Sequence, residues 1–358
     1  MRRIGHAGWR AAAAAVLLAT PLLARAVDPA ISDNDQSLLQ PYEPITAGYT
    51  KDSDDVPYMD MTLSLKLRLV PIEWLNSSRL FLAFTGRFGF YWGTRYSSPV
   101  IGKSYNPKLL WRYFPSYAKR SSVLGRSGAS EYREYLDFAY AHQSNGQTIS
   151  TPEQYAQAQA TQERPEFAND YISRGWDYLE IVWKKSYGSQ QASPIASYID
   201  LRYFLSYGLL QGRPEEYNSW ENDPQGKPRR AVDGLTGLIE YQSQWRSSAA
   251  PTPLLDRPSV WLKYQTGYDT PFKYSTVRLE GGVRIGGLPF AVWVQDGYMS
   301  DLANYYRKVT SYGIELRVGQ FSNRGLRGPK MRRRLVYHSR VARRDLAACS
   351  AFESMEPS

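Results

Sequence analysis

The chain has few of the residues on which metal and cofactor sites commonly depend. Of its 358 residues only one, Cys349, is cysteine, and three are histidine. One cysteine excludes a disulfide framework and any cysteine-based zinc or iron–sulfur site within the chain. No run of about 18 apolar residues follows the N-terminal segment, which excludes a helical membrane protein.

The positive charge of the chain is concentrated at its two ends. The formal net charge is +10. Residues 1–26 contribute four arginines and no acid, and residues 322–358 contribute nine basic and three acidic residues. Residues 27–321 hold equal numbers of basic and acidic side chains. A basic protein suggests nucleic-acid binding, but a neutral body argues against it, so we expect no nucleic-acid partner.

The two ends also differ from the body in their pattern. Residues 1–26 are typical of a secretory signal peptide, with N-terminal arginines, a short apolar stretch and the small residues of Ala24-Arg25-Ala26. We expect cleavage before Val27. Residues 322–358 show no clear period. We interpret them as a basic, disordered tail rather than as an arm that binds anionic lipid or nucleic acid.

The body shows long alternating segments. From Met59 to Val70, apolar and polar residues alternate with strict period two, which predicts a strand with one apolar face. Strands of soluble proteins average about 5–6 residues, whereas tilted membrane strands need about 9–11. Similar segments lie near Ile45–Lys51, Arg79–Trp92, Asn106–Phe114, Tyr132–His142, Arg174–Lys184, Ala196–Tyr207, Leu235–Trp245, Pro258–Tyr268, Tyr274–Ile285, Pro289–Tyr298 and Ser311–Phe321.

Twelve such strands predict an all-β fold, a transmembrane antiparallel β-barrel. An even number of strands suits a closed barrel without free edges. We assign residues 45–321 to the barrel and 27–44 to an N-terminal lead-in that is periplasmic or plug-like. The longest interval between strands, from Gly146 to Ser173, predicts an extracellular loop with a helical part around Pro152–Thr161.

A single histidine marks the candidate catalytic site. His142 is the only histidine of residues 27–321. Period two places it on one face with Tyr140 and Ser144, in a row that is apolar at its start and should face lipid. Asp177 interrupts the apolar row of the next strand, and antiparallel pairing brings it beside His142. Separately, each of the three residues has an ordinary structural explanation, but together they match the nucleophile, base and orienting group of acyl transfer.

The turn after this strand adds a candidate oxyanion donor. Gly146 follows Asn145 and allows a sharp turn, so its N–H could stabilise a tetrahedral intermediate. Asn-Gly is also a common turn sequence.

Several segments resemble one family of barrel enzymes. The motif His142-Gln143-Ser144-Asn145-Gly146, followed by Ser173-Arg174-Gly175-Trp176-Asp177, resembles the outer-membrane phospholipase A family. The resemblance covers about residues 40–321 and is supported by Ser97-Ser98-Pro99, Tyr105-Asn106-Pro107, and Gly297-Tyr298 with Ser300-Asp301-Leu302. It implies a twelve-stranded barrel in the outer membrane that hydrolyses acyl esters of phospholipids and lysophospholipids, requires Ca²⁺ and is active as a homodimer.

The resemblance also assigns roles to residues. It implies Ser144 as the nucleophile, His142 as the general base, and Asp177 where the family has an orienting asparagine. The calcium ligands would be the hydroxyl of Ser173, a backbone carbonyl near Gln147 and, from the partner subunit, Ser97.

Two alternatives remain open from the sequence. A catalytically silent barrel or passive channel is one, because Asp60, Lys66, Arg68, Glu180 and Arg202 would give the lumen a polar lining. A protease or lipid acyltransferase is the other, although an outward-facing Ser/His pair favours lipid substrates over peptides.

Overall fold

The computed structural model describes residues 38–318 except 54–56, 71–74, 76, 93–99, 116–118, 121–130, 133, 162–164, 190–191, 211–226, 244 and 251–252. The expected signal peptide, most of the lead-in and the basic tail therefore lie outside the described residues. The twelve long strands are β1 (Ile45–Asp52), β2 (Pro57–Arg68), β3 (Ser78–Phe90), β4 (Ser104–Tyr113), β5 (Glu134–Ser144), β6 (Gly175–Ser189), β7 (Ala192–Phe204), β8 (Gly234–Gln242), β9 (Leu255–Gly267), β10 (Ser275–Ile285), β11 (Leu288–Gly297) and β12 (Val309–Val318).

These strands form a closed antiparallel β-barrel, as the alternation predicts. Each strand pairs with the next in the chain, and β12 pairs with β1 to close the ring. A short strand, Leu39–Pro41, pairs with the end of β2 beyond the reach of β1. Two further short strands, Lys119–Arg120 and Glu131–Tyr132, form a separate pair in the β4–β5 connection. Closure gives every long strand two neighbours, which leaves no free edge.

The two strands of the β6–β7 hairpin differ from their predicted bounds. β6 continues to Ser189, five residues beyond the predicted end, because the hairpin extends as far as the pairing of Ser189 with Ala192. β7 ends at Phe204, whereas the sequence predicts that the strand continues to Tyr207. Leu205 N–H still donates to the backbone oxygen of Asp177 at 2.9 Å, in register with β6, and the chain then turns back over the outer face of the barrel, where Leu210 N–H donates to Asp177 Oδ2 at 2.8 Å.

Alternation sorts side chains to the two faces of the wall. Leu63, Leu82, Leu109, Ile181 and Val292 are among the exposed apolar residues on the outside. Their sequence neighbours point inward and include buried polar and charged residues such as Ser64, Lys108 and Glu180. An apolar outside around a polar inside is the pattern of a transmembrane barrel.

Ion pairs fill the lumen. Lys108 Nζ lies 2.6 Å from Glu180 Oε2, and Arg202 Nε lies 3.0 Å from the other oxygen of the same carboxylate. Both side chains of the Lys108–Glu180 pair are 1% exposed. Arg112 and Asp137 form a second buried pair at 2.7 Å. The lumen is thus closely packed at the level of these pairs.

An aromatic cluster fills the end of the barrel at which β5 ends. It contains buried residues from the wall and from two connecting segments: Ala141, Trp176, Tyr178, Phe204, Val232, Leu302, Tyr305 and Tyr306. Val232 belongs to a short helix, α2 (Arg229–Val232), and Leu302, Tyr305 and Tyr306 belong to the β11–β12 loop. The described part of the lead-in also points inward, since Tyr42 packs on Phe81, Leu110 and Ala139.

The β5–β6 loop contains the predicted helix. α1 spans Pro152–Thr161, the segment that the sequence indicates, and a 3₁₀ helix follows at Pro165–Tyr171. Within the described residues, no helix is long and apolar enough to cross a membrane.

Candidate active site

His142 and Ser144 lie at the end of β5 on the outer face. The inward neighbours Ala139 and Ala141 are buried, whereas Phe138 on the other row is exposed. His142 therefore faces outward, as predicted, and its side chain is 18% exposed. Ser144 lies two residues after His142 on the same strand, so its side chain also faces outward.

Asp177 lies directly opposite His142. The two residues are partners in the β5–β6 register, and His142 Nδ1 is 2.6 Å from Asp177 Oδ1. Because an ionised carboxylate only accepts hydrogen bonds, it places the imidazole proton on Nδ1 and leaves Nε2 as the acceptor. This arrangement suits a general base. The pairing that the sequence predicts for these two residues is present in the structure.

Ser144 and His142 both lie over Gly175. Ser144 is the register partner of Gly175. A Cβ atom built on Gly175 would lie 3.6 Å from His142 Cε1 and 3.6 Å from Ser144 Cβ. Both distances are ordinary van der Waals contacts, so Gly175 lies directly under the two side chains. Within the described residues, no hydrogen bond joins Ser144 to His142; catalytic contacts of this kind often tighten only when substrate binds.

The lumen supports the site from behind. Asn106 Nδ2 donates to the backbone oxygen of His142 at 2.8 Å and to the hydroxyl of Tyr178. Gln143 points inward, donates to Ser104 Oγ at 2.8 Å and accepts a hydrogen bond from Arg229. These contacts from β4 and α2 therefore hold His142 and its neighbour Gln143 in place. Burial alone would raise the pKa of Asp233, but the nearby charges of Arg229 and Arg202 hold it below its ordinary value.

Asn145 fixes the turn that contains Gly146. Its buried side chain donates to the backbone oxygen of Ile172 at 2.7 Å and accepts from Arg174 N–H at 2.8 Å. Gly146 has φ +60°, a conformation that favours glycine. The asparagine ties the turn to the segment before β6, so the backbone after Ser144 is held in one conformation.

The predicted calcium ligands are only partly described. Ser97 lies outside the described residues. Ser173 and Gln147 lie on two segments joined by hydrogen bonds, since Asn145 N–H donates to Arg174 O at 3.1 Å and Ser173 N–H donates to Ile149 O at 2.7 Å. Their neutral oxygens fit a hard cation such as Ca²⁺ in kind. Within the described part of the chain, no three His, Cys, Asp or Glu side chains form a group that could hold a metal ion.

Three parts of the site were not predicted from the sequence. Tyr140 lies on the same outward row and donates to Asp177 Oδ2 at 2.5 Å. The segment after β7 covers Asp177, and Asn106 supports His142 from inside. Period two places Tyr140 on the row of His142, but the sequence assigns it no role in the site. Asn106 belongs to the Tyr105-Asn106-Pro107 segment that supports the resemblance, but its contact with His142, like the cover over Asp177, joins distant segments and has no local sequence signal.

Fold and site together define a closed twelve-stranded transmembrane β-barrel with an acid–histidine pair beside a serine on its outer face. No protein-family model matches the chain, and no curated protein matches it. Among solved structures, outer membrane phospholipase A from Escherichia coli matches with a TM-score of 0.51 and 16% identity, over 78% of this chain and 98% of that one.

Two further solved structures are similar to the same degree. The Salmonella typhi outer membrane phospholipase dimer with bound calcium has a TM-score of 0.52 and 16% identity, over 79% of this chain and 92% of that one. An active-site mutant of the Escherichia coli protein, with asparagine changed to alanine, gives the same four values. At this identity the similarity establishes a shared barrel fold.

Proposed function

We propose that the protein is a calcium-dependent phospholipase of the outer membrane, which hydrolyses the acyl esters of phospholipids and lysophospholipids. The observation that carries this proposal is the His142–Asp177 pair at 2.6 Å, which lies beside Ser144 on the outward row of the barrel wall. A serine and histidine on this face meet lipid rather than a solute in the lumen. The similar solved phospholipases share the barrel that would hold such a site.

The proposed reaction uses the serine-hydrolase sequence of steps. Ser144 Oγ attacks the ester carbonyl carbon while His142 Nε2 takes the hydroxyl proton, and Asp177 stabilises the imidazolium. The tetrahedral intermediate collapses, the ester C–O bond breaks, and His142 returns the proton to the leaving alcohol. A water molecule then hydrolyses the acyl-serine by the same proton transfers and releases the fatty acid. The Gly146 N–H would donate to the oxyanion in both halves.

Calcium would be held by neutral oxygens at the edge of this site. The candidates are Ser173 and a carbonyl near Gln147, with Ser97 from a second subunit in a homodimer. When bound, the ion would supply positive charge close to the developing oxyanion. The Salmonella typhi relative was solved as a dimer with bound calcium, which supports both parts of this assignment.

Calcium removal tests the proposal directly. We expect the full chain, refolded in detergent–phospholipid micelles, to release fatty acid with Ca²⁺ and to lose about 10²-fold or more in rate with chelator, because a metal ion contributes several kcal/mol of charge stabilisation. Mg²⁺ is the matched control and should restore little, since it demands stricter geometry. Release that is unaffected by chelation would contradict the calcium requirement. No release from a heat-modifiable, folded barrel would favour the catalytically silent alternative.

The channel alternative makes a different prediction. Because Lys108, Glu180, Arg112 and Asp137 are buried in the lumen and an aromatic cluster fills one end, we expect no steady ion conductance when the protein is inserted in a planar bilayer. A single-channel step comparable with that of an open porin would contradict this expectation. Conductance without fatty-acid release would replace the phospholipase proposal with a passive channel.

A further inference from the structure

A carboxylate on the outer face of a membrane barrel needs an explanation. Asp177 belongs to the same row as Leu179 and Ile181, which are 49% and 42% exposed, yet Asp177 itself is 0% exposed. Burial of an ionised carboxylate without hydrogen-bond partners is strongly unfavourable. The chain must therefore cover Asp177 and also supply donors to it.

The cover is residues 205–210, the strap, which leaves β7 and crosses the outer face. Leu210 N–H donates to Asp177 Oδ2 at 2.8 Å. Gly208 lies directly against the carboxylate, because a Cβ atom built on it would lie 1.8 Å from Oδ2. Tyr207, Leu209 and Leu210 are exposed on the strap. The strap thus turns backbone donors toward Asp177 and apolar side chains toward the lipid phase.

Tyr140 completes the surroundings of the carboxylate. Its hydroxyl donates to Asp177 Oδ2 at 2.5 Å and accepts from Leu209 N–H at 2.6 Å. Oδ2 consequently receives an O–H and an N–H donor, while Oδ1 faces His142. A carboxylate oxygen can accept from two donors, as Oδ2 does here. If Asp177 were an asparagine with its NH₂ at this position, the NH₂ would point at the N–H of Leu210.

We propose that Tyr140 and the strap form a carboxylate clamp that fixes Asp177 and, through it, the orientation and tautomer of His142. Tyr140 and Gly208 are then positioning residues of the site. This inference rests on the proposed function and deepens it, because it explains why this chain can use an acid in the orienting position. The clamp supplies donors to Oδ2, and His142 Nδ1–H donates to Oδ1. The clamp also keeps lipid away from the carboxylate.

Two substitutions open the clamp from opposite sides. Tyr140→Phe removes the hydroxyl and keeps the ring, and Gly208→Ala places a methyl group where Asp177 Oδ2 now lies. In refolded full chain we expect kcat to fall about 10²-fold with KM little changed, as for a misplaced catalytic group. The matched controls are Tyr312→Phe, an exposed tyrosine on β12, and Gly237→Ala, where an added Cβ meets no atom within 4 Å. Both controls should retain native activity.

A spectroscopic measurement separates this inference from the proposed function. In ¹⁵N-histidine-labelled protein in micelles, the signal of His142 is assigned by its loss in His142→Asn. We expect a fixed Nδ1–H tautomer with a downfield ring proton in the native chain, and tautomer exchange with loss of that proton signal in Tyr140→Phe and Gly208→Ala. Because Tyr140→Phe is nearly isosteric, it remains informative if Gly208→Ala does not fold.

The outcomes are distinct. A native chain that releases no fatty acid but shows the fixed tautomer, lost in both variants, would contradict the proposed function and support the clamp. An unchanged His142 signal in a folded Tyr140→Phe variant would overturn the clamp, whatever the activity. A rise in KM alone, with native kcat, would also overturn the clamp, because a clamp acts on the orientation of His142 and not on substrate affinity.

Discussion

Ser144→Ala is expected to abolish fatty-acid release while the barrel still folds. Ser144 Oγ is the group that forms the acyl intermediate in the proposed mechanism, and removal of a nucleophile in a serine-hydrolase site lowers kcat by roughly 10⁴-fold or more. The substitution removes one oxygen atom from a partly exposed residue at a strand end, so packing is little changed. Fatty-acid release from mixed micelles with Ca²⁺ is the measurement, and the heat-dependent gel shift of the barrel reports folding.

A second serine provides the matched control for this experiment. Ser197 lies on β7 away from the site and hydrogen-bonds to Tyr187 at 3.0 Å, so Ser197→Ala removes the same atom elsewhere in the wall. We expect native activity in this control. Equal activity in Ser144→Ala and the native chain would remove Ser144 as the nucleophile, and with it the acyl-enzyme mechanism.

The barrel could be predicted because its physical requirement repeats along the chain. A wall with lipid outside and a packed lumen inside imposes period two on every strand, so that Met61 and Leu63 are exposed while Ser64 and Lys66 are buried. Strand length then separates a membrane barrel from a soluble sandwich. All twelve predicted strands are present, with shifted ends chiefly in the β6–β7 hairpin.

The His142–Asp177 pair could also be predicted, because strand pairing is local in the chain. Consecutive antiparallel strands bring the end of β5 beside the start of β6, and the two residues meet in register. The strap could not be predicted in this way. Leu205–Tyr207 continue the composition of β7, and the contacts of residues 208–210 with Tyr140 and Asp177 show that the chain has left the sheet. These contacts are specified by distant residues and not by a local pattern.

The lumen shows the same limit. Polar inward residues predict a polar lining, which is compatible with an open pore. Whether the pore is open depends on which charges meet, and the Lys108–Glu180 and Arg112–Asp137 pairs join residues 72 and 25 positions apart. Opposite charges at hydrogen-bond distance fill space that a channel would leave to water. The sequence thus indicates the lining, and long-range pairing determines whether it is closed.

Asp177→Asn is expected to lower kcat by roughly 10²- to 10⁴-fold, the upper value being that for the same change in a serine-protease triad. An asparagine whose oxygen accepts from His142 Nδ1–H must turn its NH₂ toward Tyr140 and Leu210 N–H, which leaves the Leu210 N–H without its acceptor. In the opposite orientation the NH₂ faces Nδ1 and favours the tautomer in which Nε2 carries the proton. Either arrangement weakens the base, although the Escherichia coli relative has an active-site asparagine.

The loss in Asp177→Asn should depend on the clamp. Asp296→Asn changes an exposed aspartate that pairs with Lys308 at 2.9 Å, and we expect native activity in this control. In a Tyr140→Phe background the asparagine should cost much less than it does alone, because the two changes disturb one hydrogen-bonded group and are not additive. Full activity of Asp177→Asn would mean that the site accepts acid and amide equally. Additive losses would mean that Tyr140 and Asp177 act separately, and the covered carboxylate would then serve the packing of the strap and not the base.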